Sequence, residues 1–235
     1  MGASRNRPFV TPAQIQERVL YRDGLMLIID KPAGLPVHAG PAGGPNLERH
    51  FDALRFGFPK PPSLAHRLDR DTSGCLILGR HAKALRKIGI LFQDGKVDKT
   101  YWAVVVGSPP AESGRIELTL SKVSNKTGGW RIVGGNPDGQ TAVTDYVVKG
   151  RADGLTWLEL TPRTGRTHQI RVHCASIGCP LLGDPQYGGP EGALHLHSRA
   201  ISLPLYPKRE AVGAVAPIPA HMRAALGACG FTEAS

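Results

Sequence analysis

Asp69 stands between Arg67 and Arg70 in the run His66-Arg67-Leu68-Asp69-Arg70-Asp71-Thr72-Ser73-Gly74. A carboxylate with guanidinium groups on both sides stays ionised and is held by charge-assisted hydrogen bonds. Such a group suits a nucleophile or base that needs neither metal nor cofactor. Surface clusters of Arg and Asp are mostly ion pairs of small energetic weight, so the surroundings decide between the two readings. This run follows the proline-rich Pro59-Lys60-Pro61-Pro62 and enters the apolar, strand-like Cys75-Leu76-Ile77-Leu78. Gly74 at its end permits backbone geometry that other residues avoid. Charged residues at the mouth of a buried strand point to chemistry.

The elements that must position Asp69 are legible from hydrophobic pattern. Leu25-Met26-Leu27-Ile28-Ile29 reads as a buried strand ending at Lys31-Pro32. Asn46 reads as a helix N-cap, with Leu47, Phe51 and Leu54 on one face and Gly57 as the stop. His81 to Asp94 reads as a second helix, with Leu85, Ile88 and Phe92 on one face and Gly95 ending it. After Lys99 the pattern turns to strands: Tyr101 to Val106, Arg115 to Leu120, Trp130 to Val133, Thr141 to Lys149 and Leu155 to Thr161. Gly128-Gly129 and Gly134-Gly135 flank a hairpin near Trp130. Thr167 to Ile177 reads as a short helix that turns Ile170, Cys174 and Ile177 to the core and Arg171 elsewhere, and Leu194 to Leu203 as a last strand. Runs of strands with a few helices predict an α+β fold with a largely antiparallel, mixed sheet. Residues 1–14 are polar, basic and proline-containing, and read as a mobile basic arm ahead of a single catalytic domain over 15–235.

Composition narrows the partner. The chain has 235 residues, enough for a sizeable core, and carries 29 Lys and Arg against 19 Asp and Glu, a net charge of +10. Nine basic and four acidic residues lie between Lys60 and Lys99, around Asp69 itself. That balance favours a polyanion, because each cation set on a phosphate releases a counterion. The four cysteines show no CxxC spacing, and His173, Cys174 and Cys179 fit no zinc pattern, so no metal site is expected. The lack of a disulfide framework predicts a reducing, cytoplasmic setting. No apolar stretch reaches membrane-spanning length, so no membrane partner is expected.

The Asp69 run resembles the signature of RluA-type pseudouridine synthases. Four further segments are similar to motifs of that family and lie in family order: Asp30-Lys31-Pro32-Ala33-Gly34-Leu35-Pro36-Val37-His38, Lys99-Thr100-Tyr101-Trp102-Ala103, Thr164-Gly165-Arg166-Thr167-His168-Gln169-Ile170-Arg171-Val172-His173, and Gly183-Asp184-Pro185-Gln186-Tyr187-Gly188. The resemblance implies a pseudouridine synthase-like catalytic core acting on tRNA or rRNA; the chain shows no room for a separate N-terminal RNA-binding domain, and a monomer is the default expectation. It implies catalytic roles for Asp69, Tyr101 and Arg171, and substrate contacts by Arg67, Arg70, Lys99, Arg166 and Ile170. Arg171 would pair with Asp69, Tyr101 would stack on uracil and assist proton transfer at C5, and Arg67 would fill the gap left by the flipped base. His66 and His168 would be structural. The implied reaction is an isomerisation, so no cofactor is expected. A nucleobase glycosylase using Asp69, or a catalytically silent RNA-binding protein on the same fold, are the competing readings.

Overall fold

The hydrophobic runs become strands in the computed structural model, which describes residues 11–40, 43–124 and 129–232. In chain order the first elements are helix α1 (Pro12–Glu17), strands β1 (Val19–Arg22) and β2 (Met26–Lys31), a 3-10 helix (Leu47–Leu54), β3 (Ser63–Leu64), β4 (Ser73–Gly79) and α2 (Ala82–Gln93). They are followed by β5 (Asp98–Val106), β6 (Ser113–Ser124), β7 (Trp130–Gly134), β8 (Gln140–Ala152), β9 (Leu155–Pro162) and α3 (Gln169–Ser176). A 3-10 turn (Pro185–Tyr187), β10 (Leu196–Leu203), β11 (Val212–Val215) and α4 (Ala220–Ala228) complete the order. The fold is α+β with few helices and a largely antiparallel sheet, as the hydrophobic pattern predicts. The chain divides into two compact units, Met1–Asp98 with Ser198–Pro217, and Lys99–His197 with Ile218–Ser235.

In the first unit β2 pairs with β1 on one side and β4 on the other. Both β2 and β4 are apolar without alternation, and Met26, Ile28, Cys75 and Ile77 are fully buried together with Ile88 of α2. A strand covered on both faces reads as a continuous apolar run. Burying each such Ile contributes roughly 1.5–3 kcal/mol. The register sets Lys31 opposite Gly74 and Asp30 opposite Cys75, so the end of β2 lies beside the segment that enters β4. Gly74 has φ +105°, and a Cβ there would meet the carbonyl oxygen of Ser198 at 2.2 Å. Any side chain at that position collides with backbone.

In the second unit the strands run in the order β5-β9-β8-β6-β7. Ala103, Val105, Leu158 and Leu160 face Ile170 and Cys174 of α3, with Ile177 packed beside them. Val172, on another side of α3, meets Leu120, Ile132 and Ala142. The helix therefore lies on the sheet by two apolar faces, and Arg171 is left to turn elsewhere. Met222 and Leu226 of α4 pack with Val104 and Trp157.

Several expectations change. Pro12–Glu17 form a helix where the end of a mobile arm was expected, because Thr11 and Gln14 close a capping box: Gln14 N donates to Thr11 Oγ1 at 3.2 Å and Thr11 N to Gln14 Oε1 at 2.9 Å. Residues 1–10 of that arm lie outside the described residues, as does Gly128 of the hairpin. Asn46 makes no side-chain cap; its amide donates instead to Gly44 O at 3.1 Å, and the segment after it is 3-10 rather than α-helical. In α2 the cap is His81, whose Nδ1 accepts from Ala84 N at 3.2 Å. The α3 helix begins two residues later than expected, at Gln169, because His168 takes a left-handed conformation at φ 52°. The short strands β1 and β11 and the helix α4 have no counterpart in the sequence reading.

His173 on α3 is fully buried, its Nδ1 against Thr144 Oγ1 at 2.9 Å and its Nε2 without a hydrogen-bond partner. Burial pushes its pKa down to about 4, so the folded protein holds it neutral. The unfolded chain takes up that proton near pH 6.5. Stability is therefore complete above about pH 6.5 and falls as pH drops toward 4, by up to about 3 kcal/mol from this group. His173→Asn, which keeps an acceptor for Thr144, should flatten this segment of the stability curve. Urea unfolding of both proteins between pH 4 and 7 is the test, and parallel curves would remove His173 as the titrating group.

Candidate active site

In the first unit, Asp69 sits on the turn that leads into β4. Its carbonyl accepts from Thr72 N at 3.2 Å, which closes the turn, and Leu68 anchors it by burying all but 6% of its surface. The turn's carbonyls point inward to one donor. Lys31, wholly buried at the end of β2, donates from Nζ to Arg70 O at 2.9 Å, Thr72 O at 2.8 Å and Pro32 O at 2.8 Å. An ammonium has three donors and no acceptor, so these three carbonyls saturate it. Burial pushes Lys31 down to about 7, against the charges of Asp71, Asp69 and Asp30, which favour its protonated form. Asp69 thus has a buried cation nearby besides the arginines named by sequence. Arg70 is engaged with its neighbour Asp71 through three contacts of 2.9–3.2 Å on the exposed side of the turn. Arg67 is exposed. His66 Nε2 accepts from Ile77 N at 3.0 Å and its ring lies against Phe92 at 4.9 Å, so it serves the fold.

In the second unit the Thr164–His173 motif folds around one amide. Gln169 is buried, and its Oε1 accepts from Thr164 Oγ1 at 2.7 Å and Arg166 N at 2.9 Å. Its Nε2 donates to Val143 O and Thr144 Oγ1, both at 2.9 Å. All four hydrogen-bonding positions of that amide are used, which ties the loop to β8. Lys99 Nζ donates to Thr164 O at 3.3 Å and, with its pKa lowered by burial, helps hold the same loop. Arg166 is exposed and its Nε reaches Thr141 O at 3.2 Å. Ile170 is 7% exposed and packs in the core. Tyr101, on β5 opposite Leu160, is partly buried against the same core cluster.

Arg171 is the most constrained charge of this unit. Its Nε donates to Asp184 Oδ2 and its Nη2 to Asp184 Oδ1, each at 2.7 Å, in a bidentate pair. Asp184 is 1% exposed and Arg171 11%. Nη2 also donates to Gln186 Oε1 at 3.0 Å, and the guanidinium lies 4.8 Å from the centre of the Tyr187 ring. Nη1 contacts His168 Nε2 at 3.1 Å. Arginine only donates, so that nitrogen accepts, and the imidazole carries its hydrogen on Nδ1, 2.7 Å from Tyr187 Oη. Tyr187 Oη accepts in addition from Ile132 N at 3.1 Å. The turn bearing Asp184 is itself fixed by glycine: a Cβ on Gly189 would meet Leu181 O at 2.1 Å.

Sequence reasoning named Asp69 and Arg171 and missed the residues that hold them. Lys31, Gln169, Asp184, Gln186 and Tyr187 all lie in the quoted motifs, yet their work is tertiary. The left-handed His168 is likewise a backbone feature that residue type does not announce. Non-glycine residues in that region are uncommon and collect at functional sites.

Comparison with known proteins now bears on this geometry. Residues 25–176 match the model of the family described as RNA pseudouridylate synthase. The chain belongs to that family. An RNA pseudouridine synthase of Zymomonas mobilis is 42% identical over 210 residues, covering 87% of this chain and 95% of that protein. RNA pseudouridine synthase 3, mitochondrial, of Arabidopsis thaliana is 37% identical over 75% of this chain and 42% of its own length. Among solved structures, human RNA pseudouridylate synthase domain containing 4 aligns with a TM-score of 0.78 at 27% identity, covering 93% of this chain and 95% of that one. The protein is thus an RluA-type pseudouridine synthase, an isomerase whose substrate is RNA. Its Asp69, Tyr101 and Arg171 all fall within the matched residues, whereas Asp184, Gln186 and Tyr187 lie beyond them. No helix among the described residues is long and apolar enough to cross a membrane.

Two outcomes follow for this pseudouridine synthase. Lys31→Met removes the donor shared by three carbonyls and should lower the unfolding free energy by about 2–4 kcal/mol. Where the Asp69 turn carries a reacting group, kcat should also fall by roughly a hundredfold, since a small displacement is enough for that. Wild-type kcat in the mutant would show that the turn holds its shape without the ammonium. Asp184→Asn breaks a buried pair and leaves Arg171 under-compensated, a loss of about 3 kcal/mol. Chemical denaturation reads it directly, and a loss within about 0.5 kcal/mol, as for ordinary surface sites, would mean that solvent already carries that charge.

Proposed function

We propose that this enzyme converts a specific uridine of tRNA or rRNA to pseudouridine, with Asp69 as the essential carboxylate. The bond from ribose C1′ to uracil N1 breaks, C1′ joins C5, the C5 proton leaves and N1 gains one. Asp69 either attacks the sugar or takes a proton from it. Arg171 is the second catalytic charge of this scheme, while Tyr101 offers a ring to uracil and a hydroxyl for the proton at C5. The base must leave its stack first, at roughly a few kcal/mol, and Arg67 fills the gap with a planar cation. Arg70, Lys99 and Arg166 serve the phosphates, and Ile170 lies against the base. The two units act as one catalytic domain over residues 15–235, monomeric and cytoplasmic; the four free, buried cysteines support a reducing setting.

One observation carries this reading: the turn bearing Asp69 is fixed from below by a buried ammonium on three of the surrounding carbonyls. A surface ion-pair cluster has no need of such an anchor, and a pure RNA binder gains nothing from fixing a carboxylate near a polyanion. Exposure of Arg67 and Arg70 beside it supports their part in substrate contact.

Asp69→Asn keeps size and hydrogen-bonding capacity but removes the charge. Pseudouridine formation on total tRNA and rRNA should vanish, with the fold intact and RNA affinity within about threefold of wild type. Turnover within about tenfold of wild type would eliminate Asp69 as the essential group. Release of free uracil by the wild type would instead identify a glycosylase.

A further inference from the structure

Trp130 opens β7 at the hairpin with β6 and is 42% exposed, although tryptophan is a residue that folding usually covers. Its indole is stacked on His168, with centroids 5.1 Å apart and planes 28° from parallel. The Lys122 ammonium, from an exposed and flexible side chain of β6, stands 4.8 Å from the indole centre. The other two tryptophans differ: Trp102 and Trp157 pack edge to face with each other and with Phe231.

Two links join Trp130 to Arg171. Through its ring, it rests on His168, whose Nε2 accepts from Arg171. Through its backbone, its carbonyl accepts from Gln186 Nε2 at 3.2 Å, and Gln186 Oε1 accepts from Arg171 Nη2. The second tie fixes the backbone that carries the indole, so the ring is placed from both sides. Cations also stand near the ring: Lys122 at 4.8 Å from its centre, and Arg171 bonded to the His168 on which it stacks. A flat aromatic ring edged by cations fits a nucleobase on the ring and its phosphate on the cation.

We propose that Trp130 is a stacking platform for an unpaired base of the RNA, set in register with Arg171 by His168 and Gln186. This rests on the reading of an RNA uridine as substrate. Lys122 swings from the indole to the phosphate as the base takes its place. A neighbour of the target nucleotide is thereby gripped by a part of the protein rigidly tied to Arg171. Recognition of this kind favours single-stranded loops, because a duplex keeps its bases stacked on one another.

The test titrates a single-stranded oligouridylate of about twelve nucleotides, matching the site sizes of single-strand binders, and a duplex of equal length. The single strand should quench the fluorescence of the wild type, and the duplex should not. Trp130→Phe keeps a ring and should bind within about threefold without that quench. Trp130→Ala, its fold checked by circular dichroism, should raise Kd by roughly tenfold or more. Lys122→Ala should retain the quench and reduce the salt dependence of binding. A Trp130→Ala protein that binds within twofold of wild type, a quench that survives in Trp130→Phe, or a wild type that does not bind the oligomer would each overturn the platform. Pseudouridine formation by the wild type is measured in parallel. Product without any Trp130 effect on binding would remove the platform alone, whereas quench without product would retain the platform and remove the uridine reading.

Discussion

A lysine ammonium buried at the end of β2 is the constraint on which the Asp69 segment depends. Taking a charge out of water costs several kcal/mol unless its hydrogen bonds are replaced, and Lys31 replaces them with the carbonyls of Pro32, Arg70 and Thr72. Two of those carbonyls, of Arg70 and Thr72, belong to the Asp69 turn, and the third follows β2. Each partner solves the other's problem. The price is conformational freedom: the turn must keep the shape that presents two of its oxygens to one nitrogen. Asp69 lies within that turn, so the requirement that fixes the backbone also fixes the carboxylate. The register of β2 on β4, with Lys31 opposite Gly74, brings the cation there, and that register is enforced by the apolar residues behind it.

Arg171 is held on a related principle with the signs exchanged. Asp184, almost wholly buried, takes both arms of the guanidinium, and His168 and Gln186 accept from it as well. Buried ion pairs contribute little net stability compared with an apolar packing of equal volume, because desolvation offsets attraction. Their value lies in orientation, and four acceptor atoms around one planar group leave it a single orientation. The left-handed His168 belongs to the same design. Its backbone strain, of order 1–3 kcal/mol, places the imidazole between Tyr187 and Arg171, where an ordinary helical start would turn it away.

Much of this was legible in the sequence, and the rest was hidden for physical reasons. Strands β2, β4 and β5 to β10 follow from runs of apolar and β-branched residues, and the core face of α3 follows from the spacing of Ile170, Cys174 and Ile177. Short motif strings located Asp69, Tyr101 and Arg171. What stayed hidden is pairing across the chain. Lys31 meets carbonyls 39 and 41 residues away, and Arg171 meets a carboxylate 13 residues on. Nothing local distinguishes those partners from solvated charges. Asn46 failed as a cap for the opposite reason: local preference pointed to a helix start, but its amide turned back to Gly44. The Thr11–Gln14 capping box was local and visible, and the polar composition around it concealed it.

The two halves of the problem have different chemistry behind a common logic. An isomerase of this type needs its reacting groups placed, since positioning alone can supply a large part of a barrier reduction. Placement of a charged group is hardest on a surface open to a polyanion, where solvent and phosphate compete for every side chain. Here the charges are anchored on their far side: Lys31 beneath the Asp69 turn, and Asp184 behind Arg171. The exposed Arg67 and Arg70 can rearrange without touching either anchor, because the anchors are buried and already saturated with partners. Adaptable surface charge and fixed geometry thus belong to separate sets of residues. That separation lets the exposed cations adjust to whatever approaches them while the groups behind them stay fixed.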